Sequence, residues 1–294
     1  MNESKICVGM PVYNGEKYVG GAIESLLFQT YPHFRLLISD NASTDATEKI
    51  CREYASHDSR IIYVRRERNC GAFENFRLVL NDAKSPFFTW LAHDDVLDPA
   101  YLATMLGTIE ADDRIVLAAS DFKIMDADGG IIKVEELDAI RPTIQWHHRR
   151  VEFFQNPISN VYLCIYGVMR TESLRKVFSA LSAPAQSSGG ELPILSRIAC
   201  EGQIVAIPDA VRSYRRHAYS EYAREQQAAS SYSINERRWQ QFKHNNCLRV
   251  DQCRALLGSK LSLVDKFRIM AYLIKIYGIK IPRSIRRLVL QSNC

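Results

Sequence analysis

The chain has 294 residues, 47% of them apolar and 24% charged, with a formal net charge of +5. That balance excludes a disordered chain, and the charge is too small to imply any partner by itself. Eight cysteines, at 7, 51, 70, 164, 200, 247, 253 and 294, contain no CxxC pair, so reduced thiols are expected rather than a disulfide framework or a zinc site.

Met1-Asn2-Glu3-Ser4-Lys5 leads into a strand over 5–8 rather than a secretory leader. Residues 15–30 carry Val19, Ala22, Ile23, Leu26 and Leu27 at helical spacing. A buried strand over 34–39 ends at Asp40-Asn41-Ala42-Ser43-Thr44-Asp45, where Asp45 and Glu48 have capping-box spacing before another helix. Strand 60–64, helix 73–83 and strand 86–92 repeat the alternation, and Asp98-Pro99 opens a further helix. Residues 115–120 read as a strand, and 126–134 as a hairpin turning at Asp128-Gly129-Gly130. After 141 come a small-residue loop over 183–190, a helix over 192–200, a strand over 203–207, a polar stretch over 220–246 and a basic amphipathic segment over 261–291.

Alternating strands and helices predict an α/β fold with a mostly parallel sheet covered on both faces. Ligands bind such sheets outside the carboxyl ends of the strands. Pro11-Val12-Tyr13-Asn14, Asp40-Asn41 and His93-Asp94-Asp95 all fall at those ends. The paired carboxylates of Asp94 and Asp95 repel each other and resist burial, so they call for a compensating partner. A divalent cation would serve, and so would a solvated turn that caps the next helix.

The ordered set Pro11-Val12-Tyr13-Asn14, Gln29-Thr30-Tyr31, residues 40–45, Asn69-x-Gly71-x-x-x-Asn75, Asp94-Asp95 and Arg215-x-His217 resembles the inverting glycosyltransferases of family 2, over about the first three quarters of the chain. The resemblance implies the GT-A fold: a Rossmann-like, mixed, mostly parallel sheet with helices on both faces, here with a C-terminal helical extension. It divides the chain into a transferase domain over 1–225, with a nucleotide-sugar part to about 125 and an acceptor part over 126–225, and an extension over 226–294. It also implies Mg²⁺ or Mn²⁺ held by Asp95, with His217 as a further ligand, and Asp94 facing ribose or sugar. Asp40 would accept a hydrogen bond from the base, with Tyr13 packed on it and Pro11 shaping the wall. Asn14, Asn41, Arg68 and Asn75 would complete the nucleotide pocket, and Arg215 would close on the diphosphate. The base is implied at Glu191, where the family usually carries aspartate, with Asp95 the second catalytic carboxylate through its metal.

The activity so implied is transfer of a sugar, a hexosyl or N-acetylhexosaminyl group, from a UDP-linked donor to a glycan or lipid-linked saccharide in surface polysaccharide synthesis. The alternatives are a membrane-associated scaffold that keeps the fold without activity, suggested by the glutamate at 191, and a sugar-phosphate nucleotidyltransferase. The latter needs a glycine-rich phosphate loop after the first strand, which Pro11-Val12-Tyr13-Asn14-Gly15 does not supply, and no GxGxxG is present for a dinucleotide-binding oxidoreductase.

From Lys266 to Arg287 every charge is positive, and Phe267, Met270, Ile274, Tyr277 and Ile281 form an apolar stripe. No stretch approaches the ~18 apolar residues of a membrane span. The basic segment instead predicts a cytoplasmic protein lying on the anionic inner face of the cell membrane. A terminal helix packed on the catalytic domain is the competing expectation. No nucleic-acid motif is present.

Overall fold

The computed structural model describes residues 4–146, 150, 153–154, 160–181, 191–218, 250 and 252–277. The expected loop over 183–190, the polar stretch over 220–246, the boundary near 225 and the tail beyond 277 lie outside the described residues.

Seven consecutive buried residues, Ile6–Val12, form β1. A strand buried on both faces belongs inside a parallel sheet, and β1 pairs in parallel with β2 (Phe34–Asp40) on one side and β4 (Phe87–Trp90) on the other. Helices α1 (Val19–Leu27), α2 (Thr47–His57) and α3 (Ala72–Asp82) make the crossovers, with β3 (Ile61–Arg65) at the outer edge. The side chains of Ile6, Val8, Met10 and Val12 share one core with α1 and α2, while Cys7 joins Val79 and Leu80 of α3 in the core on the other face. Between these layers Gly9 leaves room for Phe88, because a Cβ at Gly9 would stand 2.6 Å from the Phe88 ring.

The second half is mixed. After β5 (Val96–Leu97) and α4 (Tyr101–Glu110), the long β6 (Ile115–Met125) turns into β7 (Ile131–Glu135), the expected hairpin. Then come β8 (Val168–Arg170), α5 (Thr171–Ser179), α6 (Glu191–Glu201) and β9 (Gln203–Arg215). The sheet order is β3-β2-β1-β4-β8-β6-β9-β5, with β7 on β6. β6 runs parallel to β9 and antiparallel to β8.

Three expectations shift. Strand 203–207 continues to Arg215, because β9 leaves its ladder and rejoins it: Ser120 pairs with Ile207, yet Phe122 pairs with Arg212. Asp209 turns that excursion with a φ of 70°. The helix expected from 15 to 30 occupies only 19–27, and the one announced by Asp98-Pro99 starts at Tyr101. The Asp98 carboxylate accepts from Lys123 Nζ at 2.6 Å instead of capping that helix.

Residues 252–258 are helical, and α7 (Leu263–Tyr277) follows. Leu256, Ile269 and Leu273 join the core beside α6. Gln252 Nε2 donates to Phe153 O and Ser196 Oγ there.

Burial pushes the thiols of Cys7 and Cys51 up to about 12 and that of Cys200 up to about 11, and it raises Cys164 as well. Raised, buried thiols are poor nucleophiles. Peptide mapping after brief native alkylation should therefore find Cys7, Cys51, Cys164 and Cys200 unmodified and the half-buried Cys70 modified; early labelling of the first four would contradict this packing.

Candidate active site

The carboxyl ends of β1, β2 and β4 form one rim. Pro11 is buried near the end of β1, and just past the strand Tyr13 stands 39% exposed. Asn14, with a φ of 52°, accepts from Thr44 N at 2.8 Å, and its own N–H donates to Ser43 Oγ. Glu16 and Asp45 exchange bonds across the same gap: Glu16 N donates to Asp45 Oδ2, and Ala46 N donates to Glu16 Oε2. These bonds strap the end of β1 to the turn after β2.

Within that turn Asp40 is fully buried. Its oxygens accept from Ser43 N, the Tyr63 hydroxyl and Arg65 Nη1, so it supports the loop rather than presenting an oxygen to a base. Asn41, 3% exposed, accepts from Cys70 N and donates to Asn69 Oδ1, organising the loop before α3. Asn75 is also internal: it accepts from Ser39 Oγ and donates to Ser39 O. Asp40 and Asn75, both expected at the nucleotide, are buried, Asp40 bonded to the turn after β2 and to β3, and Asn75 to β2. Arg68 is exposed on the loop between β3 and α3.

β4 delivers the paired acids. Trp90 is buried against Phe76, Phe88 and Phe178, and Asp95 N closes a turn onto Ala92 O. The two carboxylates then part company. Asp95 is fully buried, with Oδ2 accepting from Arg212 Nη2 and Oδ1 accepting from the Arg215 backbone N–H at 2.9 Å. Burial pushes the Asp95 carboxyl up to about 6, while the Arg212 charge pulls it down, so at neutral pH the two stand as an ion pair. Asp94 lies at the rim, its side chain 15% exposed, and Oδ2 accepts from His217 Nε2 at 2.9 Å. Burial works to raise the Asp94 carboxyl, but the His217 hydrogen bond and the neighbouring histidines hold it below the usual range.

Arg215 straps this corner rather than reaching into a cleft. Its Nε donates to Asp94 O, its Nη1 to the carbonyls of Asp126 and Ala127, and its guanidinium lies 4.8 Å from the Tyr18 ring. Tyr18 also packs on His217, with ring centroids 4.8 Å apart. Arg212 covers the Tyr166 ring at 3.9 Å, beside a cavity of about 20 Å³ lined by Tyr101, Ser120, Tyr166 and Tyr214. Glu191, the half-buried first residue of α6, is near enough that its charge helps raise the Tyr166 hydroxyl, after burial and together with Asp95.

Asp95, expected as the metal ligand, is neutralised by Arg212 in this structure. Asp94 and His217 suit a metal: a carboxylate oxygen and an imidazole nitrogen face each other at the rim, a donor set that Mg²⁺ or Mn²⁺ accepts. Among the described residues no group of three or more His, Cys, Asp or Glu could hold a metal.

A family model described as Glycosyl transferase family 2 matches residues 7–178, more than half of the chain. The chain belongs to that family. Glycosyltransferase GlyA of Streptococcus pneumoniae is 28% identical over 127 residues, 43% of this chain and 18% of GlyA. The chain spans less than half the length of GlyA and of the next curated relatives it matches. Among solved structures, Staphylococcus aureus TarS in complex with UDP-GlcNAc superposes with a TM-score of 0.65 over 92% of this chain and 71% of its own, at 18% identity. A mannosyltransferase from Pyrobaculum calidifontis, in complex with GDP-Man and Mn²⁺, gives a TM-score of 0.56 over 99% of this chain and 85% of its own, at 15% identity. At such identities the likeness speaks for the fold, and the family 2 chain has the GT-A fold expected of it.

The sequence reading missed Arg212, Tyr18, Tyr63 and Arg65. An arginine inside the strand-like run Val211-Arg212-Ser213-Tyr214 is the one available signal, because a buried guanidinium requires a buried carboxylate. Removing one member of this pair strands the other. Arg212→Met should cost about 3–5 kcal/mol in denaturant unfolding, and Arg212→Met with Asp95→Leu should recover most of that loss. A single variant no less stable than the double would mean that the pair is not ionic.

Proposed function

We propose that this family 2 chain is a metal-dependent, inverting glycosyltransferase that moves a sugar from a UDP-linked donor to a saccharide or lipid-linked glycan. It would serve surface polysaccharide synthesis at the inner face of the cell membrane. The observation that carries the proposal is the meeting of Asp94 Oδ2 and His217 Nε2, 2.9 Å apart, on the ligand-binding rim of the sheet. UDP is favoured because TarS was solved with UDP and UDP-GlcNAc, and the metal because the Pyrobaculum enzyme was solved with Mn²⁺.

In this reading Asp94 and His217 hold the ion, and Asp95, first expected to ligate it, positions the turn. A divalent ion, when bound there, supplies Lewis-acid stabilisation to the departing diphosphate. Tyr13 offers its exposed ring to the base, over a wall shaped by Pro11, while Asn14 and Asn41 fix the loops around it. Glu191 takes the proton of the acceptor hydroxyl as that oxygen attacks the anomeric carbon from the face opposite the leaving group, which inverts the configuration. The charges of Glu191 and Asp95 both act on the Tyr166 hydroxyl, which supports a base close to the acidic turn. The domain limits follow the same reading, with a transferase unit over 1–225 and an extension over 226–294.

Two measurements test the proposal. UDP with Mn²⁺ should raise the melting temperature, since a ligand at about 100 times its Kd stabilises by about 2.7 kcal/mol. Asp94→Ala and His217→Ala should each abolish the metal-dependent part of that rise. No shift with any nucleotide, or a full shift in both variants, would refute the assignment.

Glu191→Gln should keep the thermal shift and lower the kcat of transfer or donor hydrolysis by roughly 10²–10⁴. An unchanged kcat would place the base elsewhere, and loss of the shift would make Glu191 a binding residue.

A further inference from the structure

Five of the twelve exposed large apolar side chains among the described residues fall in one 18-residue stretch: Val250, Leu257, Leu263, Val264 and Phe267. Leu257 ends the helix over 252–258, and the other three of the last four occupy the first turns of α7. Lys266 Nζ donates to Leu257 O at 3.0 Å, which ties the two helices together at their shared corner. The opposite side of this hairpin already has its partner, because Ala255, Leu256, Ile269 and Leu273 are buried. The exposed set lies outside the packing among the described residues.

Charge selects what covers it. Arg254, Lys260 and Arg268 are exposed around the apolar residues, with Lys266 half-buried among them. Val264, Phe267 and Arg268 recur at the three- and four-residue steps that place them on one helix face. Asp265 is the one acid between 252 and 277, and it is engaged internally by Ser262 Oγ at 2.9 Å and by Arg150 at 3.4 Å. Apolar side chains ringed by cations that pair with no carboxylate among the described residues match a surface that is negative outside and apolar beneath. The other exposed apolar group, Ile131, Ile132 and Val134 of β7, has no such bias, since Lys133 there pairs with Glu135.

We infer that the corner formed by Leu257, Lys260, Leu263, Val264, Phe267 and Arg268 is a docking surface for an anionic lipid bilayer, entered by its four apolar side chains and held by its cations. This deepens the membrane placement proposed above and moves its focus from the far tail to the start of α7. It shares no residue with the rim at Asp94, so its failure would leave the transferase reading standing.

The full chain is to be sedimented with vesicles of phosphatidylcholine alone and of phosphatidylcholine with phosphatidylglycerol, at low and high salt. The unaltered chain should bind the anionic vesicles and be released by salt. Val264→Glu with Phe267→Glu, and separately Lys260→Glu with Arg268→Glu, should each weaken binding roughly tenfold or more. Both double variants should keep the melting temperature and the UDP-dependent shift of the parent. Equal binding to neutral vesicles, or variants that bind like the parent, would overturn the inference. So would self-association of the unaltered chain that the double variants lose while still binding vesicles, which would make a second copy of the chain the occupant.

Discussion

The ion pair between Asp95 and Arg212 is the constraint on which the corner at the end of β4 depends. Two adjacent carboxylates on a tight turn cannot both be left facing a low-dielectric interior without a cation. The protein supplies one of its own, carried across the sheet on β9, and so turns Asp95 inward. With Asp95 fixed, the pleat and the turn send Asp94 to the opposite side, toward the rim and His217. One acid is used to orient the other.

The rest of the rim follows the same division of labour. Asp40, Asn14, Asn41 and Asn75 are polar groups at strand ends, and each spends its hydrogen-bonding capacity on neighbouring loops. The outcome is a shelf whose floor is pre-formed, with Tyr13, Asn14 and Asp94 the members that reach toward solvent. Holding the chemistry on rigid elements limits the reorganisation that binding a donor would require.

Much of this was legible in the sequence because periodicity reports burial directly. The runs at 5–8 and 34–39, and the helical spacing of Val19, Ala22, Ile23 and Leu26, announced β1, β2 and α1, although β1 runs on to Val12 and the helix expected over 15–30 occupies 19–27. The convergence of three polar clusters on one rim was equally legible, since it follows from strand ends. What could not be read was the pairing of residues far apart in the chain. Arg212 and Asp95 are 117 positions apart, and nothing local to either names the other. Which of two neighbouring aspartates faces out is a matter of one turn, Asp95 N to Ala92 O, that composition does not encode. The two-residue β5 exists only because β9 lies beside it, so no pattern within Val96-Leu97 announces it. Asp40 and Asn75 illustrate the converse: residue types suited to binding also make internal hydrogen bonds, and only the fold shows those partners.

The looped-out segment of β9 bears on how this corner tolerates length changes. Between Ile207 and Arg212 the strand is out of step with β6, so the register before the excursion and the register after it are set independently. Losing a residue within that slack would shorten a detour. Losing one after Arg212 would change the spacing between Arg212 and Arg215, so the guanidinium and the Arg215 N–H could no longer both meet Asp95. Homologues that differ in length should therefore carry their insertions and gaps at 208–211, and an engineer seeking to graft a new segment into this fold has that detour as a natural point of entry.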